Sequence, residues 1–208
     1  AFGATILLAT GGFMLMPFSS AFTVHNLGIS LDRLPLVYMV TGVSSIISGP
    51  IMGRLSDAIG KYAMFVVGSL VGMVVGGIYC NLGTTPLAWV IALNMVLFMA
   101  IMARMISASA LTSAVPDLKD RGAFMAVNAS LQQLSGGVAS SVAGMIVVQN
   151  SDGRLAHYDT LEYVVIVAML ITVVMLYPIH RAVKEKMEKI DAAKRAPAQP
   201  HAPTENAV

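Results

Sequence analysis

The sequence predicts an all-α membrane protein, a bundle of six transmembrane helices, and three observations predict it. Of 208 residues, 56% are hydrophobic and 12% are charged, with a mean hydropathy of +0.75. Soluble domains carry about 25% charged residues, and a soluble fold of this size has too much surface to hide so much apolar area. The charges are also uneven: ten lie in residues 180–208, which leaves 14 for the first 179. Those 14 separate charge-free stretches near the roughly 20 apolar residues that cross a bilayer. A soluble enzyme, a nucleic-acid binder and a disordered chain are excluded.

The first stretch has no Asp, Glu, Lys or Arg through Leu31, and predicts a span over 3–24. Pro35 opens the second, 34–53, near a first helical turn, where its missing N–H costs nothing. Residues 62–103 are charge-free, long enough for two helices, and the turn cluster at 81–86 divides them into 62–82 and 87–108. The fifth span is 123–148 and the sixth 162–180. A strand barrel would show alternating segments of about ten residues, and none is present. The chain opens without Met inside an apolar run, which reads as a piece of a longer protein. The single Cys80 allows no intrachain disulfide or cysteine-built metal site, and reads as a small buried hydrophobe.

Short loops make the positive-inside rule applicable. The loops after spans two and four carry Arg54, Lys61, Lys119 and Arg121, and the tail carries six more basic residues; the opposite loops carry only Arg33 and Arg154. Both ends of the segment are therefore expected in the cytoplasm. Beyond 180 the tail is expected to be helical through about 195, then disordered where Pro is frequent and apolar residues are few. The tail helix reads as a solvated extension or as a contact with anionic lipid.

Packing inside lipid relies on small residues. Gly68, Gly72 and Gly76 recur every fourth residue in span three, as do Gly136, Ser140 and Gly144 in span five. Gly11, Gly12 and Pro17 in span one and Pro50 in span two suggest breaks, which a membrane tolerates where neighbours satisfy the freed backbone.

The segment Gly53-Arg54-Leu55-Ser56-Asp57-Ala58-Ile59-Gly60-Lys61 lies between spans two and three. It resembles the G-x-L-[SA]-D-x-x-G-[RK] loop of the major facilitator superfamily. The run from Arg121 to Asn128, with Gln132 and Gln133, is similar to the eleventh helix of that family's drug and sugar efflux branch. Ala58 and Tyr62 depart from the fuller signature, where basic residues are usual. The resemblance covers residues 1–190 and implies the C-terminal half, helices seven to twelve, of a twelve-helix transporter. It implies a gating loop of Gly53, Arg54, Asp57, Gly60 and Lys61. Arg104 is the only charge well inside a span, about 26 Å along its helix from Leu87. Three readings stand for it: a gate latch with Asp57, a static pair, or snorkelling without a partner.

Uncharged polar residues point to a solute path: Tyr38, Thr41 and Ser45 on one face of span two, Asn128 and Gln132 on span five, Asn94 on span four, and Thr10 with Phe13 on span one. The other reading is interhelical hydrogen bonding, about 0.6–2 kcal/mol per contact. The 15 methionines read as flexible packing that also suits varied apolar solutes. No acid falls near the midplane of a span, so proton coupling would require an acid in the missing half; His25 reads as an interfacial loop residue.

These readings imply half of a secondary transporter, an antiporter with protons as candidate coupling ion, that exports a small sugar- or drug-like solute by alternating access. The expected partners are the N-terminal half, the lipid bilayer and the solute, with no nucleic acid, in a bacterial inner membrane. No enzyme activity, catalytic residue, metal or cofactor is expected, and no phosphate loop is present. A non-transporting scaffold or sensor and a half-size homodimeric transporter are the alternatives.

Overall fold

The computed structural model describes residues 2–195; the tail expected to be disordered, 196–208, lies outside the described residues. Six long helices account for most of it. The first, α1, runs Phe2–Asn26, regular over Phe2–Leu15, tightening to a 3-10 turn at Met16–Phe18 and, after the single α turn Ser19–Ala21, widening to a π turn at Phe22–Asn26. The irregularity begins beside Pro17, which lacks a backbone donor, and not at Gly11 and Gly12, which stay helical. Then come α2 (Leu34–Ile59), α3 (Lys61–Cys80), α4 (Leu87–Ser113), α5 (Arg121–Ile146) and α6 (Tyr158–Arg195). Helix satisfies each backbone group within its own segment, which lipid demands.

Three boundaries differ from expectation. Helix α2 continues past Pro50 to Ile59, α4 extends to Ser113, and α6 begins at Tyr158 and passes through Pro178 to Arg195. The connection between α2 and α3 shrinks to Gly60, whose φ of 97° suits glycine. A two-residue hairpin, β1 (Val148–Gln149) against β2 (Leu155–Ala156), joins α5 to α6. Asn26 extends it: its amide donates to the Leu155 carbonyl and accepts from the Leu155 N–H, both at 2.9 Å. His25 is exposed beside Gly153 at this end, in keeping with a loop histidine.

Five of the six helices are long and apolar enough to cross a membrane. The expectation of six apolar spans is thus met in five. Helix α5 matches the others in length at 26 residues, but Asn128, Gln132, Gln133 and several serines make it more polar.

Neighbours follow the order α5, α1, α6, α3, α4, α2. Helix α3 sits between α4 and α6, and its small residues set how closely they approach. A Cβ added at Gly68 would stand 3.0 Å from the Ala100 carbonyl oxygen and 3.0 Å from the Ala103 Cβ. One added at Gly76 would stand 2.5 Å from the Glu162 carboxylate. The main apolar core gathers Met14, Phe22, Tyr79, Val90, Tyr158 and Leu161 toward the hairpin end. Ile46, Ile47 and Ile51 on α2, and Leu134 and Met145 on α5, stay exposed, as lipid contact or a further bundle requires.

Gly68→Leu should therefore lower stability by about 1–3 kcal/mol through overpacking. Gly77→Leu, whose added carbon meets nothing within 4 Å, should leave it nearly unchanged. Thermal unfolding of both variants in detergent checks the contrast.

Candidate functional site

At the end of the bundle rich in Lys and Arg, Gly53, Arg54 and Asp57 belong to the last turns of α2 and not to a loop. Asp57 accepts from Lys61 Nζ at 3.0 Å, with both side chains exposed. Such pairs contribute little. The expected Asp57–Arg104 pair is absent. Asp57 faces outward, whereas Arg104 turns inward against α3. The ends of α2 and α4 meet instead through neutral hydroxyls, Ser56 Oγ and Ser107 Oγ, buried 3.1 Å apart. Two hydroxyls avoid the desolvation that a buried ion pair would need to overcome.

A second tie at this end comes from α6. Lys186 Nζ donates to the carbonyls of Val115 and Pro116, at 3.1 and 3.2 Å, and to Asp117 Oδ1 at 2.9 Å. It thus meets carbonyls freed just beyond the end of α4. The hydrogen bond and charge of Lys186 hold the Asp117 carboxyl below its ordinary range.

Arg104 is 5% exposed, so it does not snorkel. Its Nε donates to Ser69 Oγ at 3.1 Å, and its guanidinium carbon lies 5.5 Å from the Phe65 ring centre. Nη2 is buried with no hydrogen-bond partner among the described residues. Glu162, at the edge of the sixth span as read from sequence, is one turn inside α6 and 1% exposed. It packs on Gly76 and accepts from the Cys80 thiol at 3.7 Å. The bundle therefore buries an acid near one end of α6, away from the middle of any span. Cys80 is buried as expected, but it also serves this carboxyl.

The polar set divides. Asn94 Nδ2 donates to Tyr79 OH at 3.1 Å, and Tyr79 OH meets Thr23 Oγ1 at 3.1 Å. Thr23 in turn donates to the Ser19 carbonyl, and Ser19 Oγ lies 3.4 Å from Tyr38 OH. Asn94 and Tyr38 are thereby linked through Ser19 and through Thr23 and Tyr79, two residues that the sequence reading missed. Thr41 and Ser45 donate to carbonyls one turn back in α2, the local bonding that hydroxyls favour in helices. Asn128 accepts from Thr5 at 2.8 Å across α1 and α5. Thr10 donates to the Ile6 carbonyl and lines a largely apolar groove of about 380 Å³ between α1 and α5, with Met14, Leu134 and Ser135. The Phe13 ring packs over Gly136. Gln132 is half-buried and makes no side-chain hydrogen bond among the described residues.

The missed residues had weak signals. Tyr79 follows Gly68, Gly72 and Gly76 along one face of α3. Thr23 and Glu162 sat at expected span ends, where burial is not legible.

A family profile, Major Facilitator Superfamily, matches residues 1–204. The chain belongs to the Major Facilitator Superfamily. No curated protein and no solved structure matched it. Superfamily members are membrane transporters rather than enzymes, and the apolar helices accord with an integral membrane protein.

In this superfamily chain the Lys186 clasp should depend on pH. The depressed Asp117 value means that the clasp's contribution is present above the ordinary value of 3.8 and lost as pH falls through the lower folded value. Lys186→Ala at neutral pH should speed amide exchange across residues 114–120 on the order of twofold to fivefold. Exchange mass spectrometry, corrected for intrinsic rates, measures it.

Proposed function

We propose that this chain is the C-terminal, six-helix half of a twelve-helix secondary transporter that exports a small organic solute, sugar-like or drug-like, by alternating access. Family membership supports transport. The observation that carries the site is the polar chain from Tyr38 through Ser19, Thr23 and Tyr79 to Asn94, which links α2, α1, α3 and α4. Transporter sites form near the interface between two bundles that rock against each other. In this reading α5 is the sixth span. Its polar residues, with the groove along α1, face the path and the N-terminal half, while the apolar flank of α2 meets lipid or that half.

Thr10, Phe13, Tyr38, Asn94, Asn128 and Gln132 are the proposed solute contacts; Thr41 and Ser45 bond within their own helix and contribute shape. Gly53, Arg54, Asp57, Gly60 and Lys61 form the proposed cytoplasmic gate, where the Ser56–Ser107 contact and the Lys186 clasp hold the helix ends together. The excess of Lys and Arg supports a cytoplasmic placement for this end in a bacterial inner membrane. Protons are the proposed coupling ion.

The full-length protein in vesicles should move at least one member of a sugar and drug panel down an imposed gradient. No flux across the panel sinks the transporter reading in favour of a scaffold or sensor. Tyr79→Phe removes the hydroxyl shared by Thr23 and Asn94, and should slow that flux about fivefold, as expected for loss of roughly 1 kcal/mol of hydrogen bonding.

A further inference from the structure

The outward face of α6 changes chemistry in a fixed order toward the basic end. Val167, Leu170, Val174, Tyr177, Arg181 and Lys184 follow one another three or four residues apart, so they form one stripe along the helix. All six are exposed. Lys186, which clasps the α4–α5 connection, points to a different side of the helix. Helix α3, packed against α6, leaves Val67, Leu70 and Val74 exposed as well.

The stripe matches one bilayer. Tyr163, also exposed, opens it near the hairpin end. From Tyr163 to Arg181 the helix rises about 27 Å, against a hydrocarbon core of about 30 Å. Tyrosines collect at both bilayer interfaces. With Tyr163 at one interface, Arg181 and Lys184 stand at headgroup level across the membrane, and Tyr177 lies just inside them.

The basic end of the stripe is fixed from α3. Tyr62 OH donates to the Val173 carbonyl at 3.2 Å. Its ring meets Tyr177 edge-on at 5.7 Å and stacks on His180 at 5.2 Å. These contacts set the rotation of α6 at this level, so Arg181, next to His180, is presented outward from a held helix.

Arg181 and Lys184 each pair with an acid one turn further on, Glu185 at 3.2 Å and Glu188 at 4.0 Å. Both pairs are exposed and contribute little. In each pair the base is the member nearer the apolar stripe. An anionic group carried on acyl chains in the bilayer therefore meets the base first, without passing the acid.

We infer that the α3–α6 seam at the basic end binds an anionic phospholipid. Its phosphate sits on Arg181 and Lys184, and its acyl chains lie along Leu170 and Val174 of α6 and Val67 of α3. A guanidinium matches phosphate with two parallel hydrogen bonds, and an ammonium adds a point charge. A zwitterionic lipid brings its own cation to the same two bases, so the site favours lipids with net negative charge. The inference does not depend on the transporter reading.

Native mass spectrometry of the full-length protein, stripped of lipid in detergent and titrated with phosphatidylglycerol or phosphatidylcholine of equal chain length, tests it. Wild type should bind the first phosphatidylglycerol about tenfold more tightly than phosphatidylcholine. Arg181→Gln with Lys184→Gln should remove that preference and leave phosphatidylcholine binding unchanged. Glu185→Gln with Glu188→Gln frees both bases and should tighten phosphatidylglycerol about threefold, a gain that poor folding cannot mimic. Lys189→Gln, more than a turn further along the tail, should keep the preference. Glycerol phosphate in excess should leave the lipid complex intact. The site is overturned by a wild type without preference, by a preference that survives loss of Arg181 and Lys184, or by an equal loss in Lys189→Gln, which assigns the attraction to the charge of the tail at large. Displacement by glycerol phosphate also overturns it, in favour of a site for soluble phosphate esters.

Discussion

The close approach of α3 to α4 and α6 is the constraint on which the rest of the bundle depends. Lipid tails are as apolar as the side chains, so apolar surface gives helices little reason to associate, and contact must come from fit and hydrogen bonds. Gly68, Gly72 and Gly76 provide fit. At Gly68 the backbone of α4 lies where a methyl group would stand, and at Gly76 the Glu162 carboxyl does. The same closeness buries Ser69, which receives Arg104, and Cys80, which serves Glu162. Loosening that seam would disturb packing and both buried charges together.

The bundle treats polar groups differently at its two ends. Toward the hairpin, Asn94, Tyr79 and Thr23 form a buried chain, and Asn26 ties α1 to β2. At the basic end, the buried contact between α2 and α4 is a pair of neutral hydroxyls, while the ion pairs of Asp57 and Asp117 are exposed. Neutral hydroxyls can part without leaving an unpaired charge in lipid. Exposed ion pairs can part into water at small cost. Both kinds of contact suit the cytoplasmic gate proposed for this end. Arg104 of α4 and Glu162 of α6, both buried against α3, are of a third kind, each held by the fold with incomplete compensation.

Much of the fold was legible because a bilayer imposes a length and a composition on each crossing. All six expected spans fall on helices, five of them apolar enough to cross a membrane, and the small-residue periodicity of span three marks its packing face. Boundaries were less legible. The motif of Gly53 to Lys61 suggested a loop, yet a helix can carry Gly53 and Asp57 to its last turn when Gly60 alone makes the reversal. Similarly, Glu162 looked like a boundary charge because composition changes there, whereas α6 starts a turn earlier.

The sequence by itself determined an all-α membrane chain, its approximate spans, its charge asymmetry and the family motif, because each is a property of local composition and order. Partners were decided by tertiary structure. Helical spacing identifies a face, but it does not say which neighbour meets that face or at what height. Asp57 and Arg104 were plausible companions on adjacent helices, yet the rotation of α4 turns Arg104 to Ser69 and leaves Asp57 to Lys61. The same rotation and packing put Glu162 against Gly76, a contact between residues 86 positions apart that no local pattern encodes.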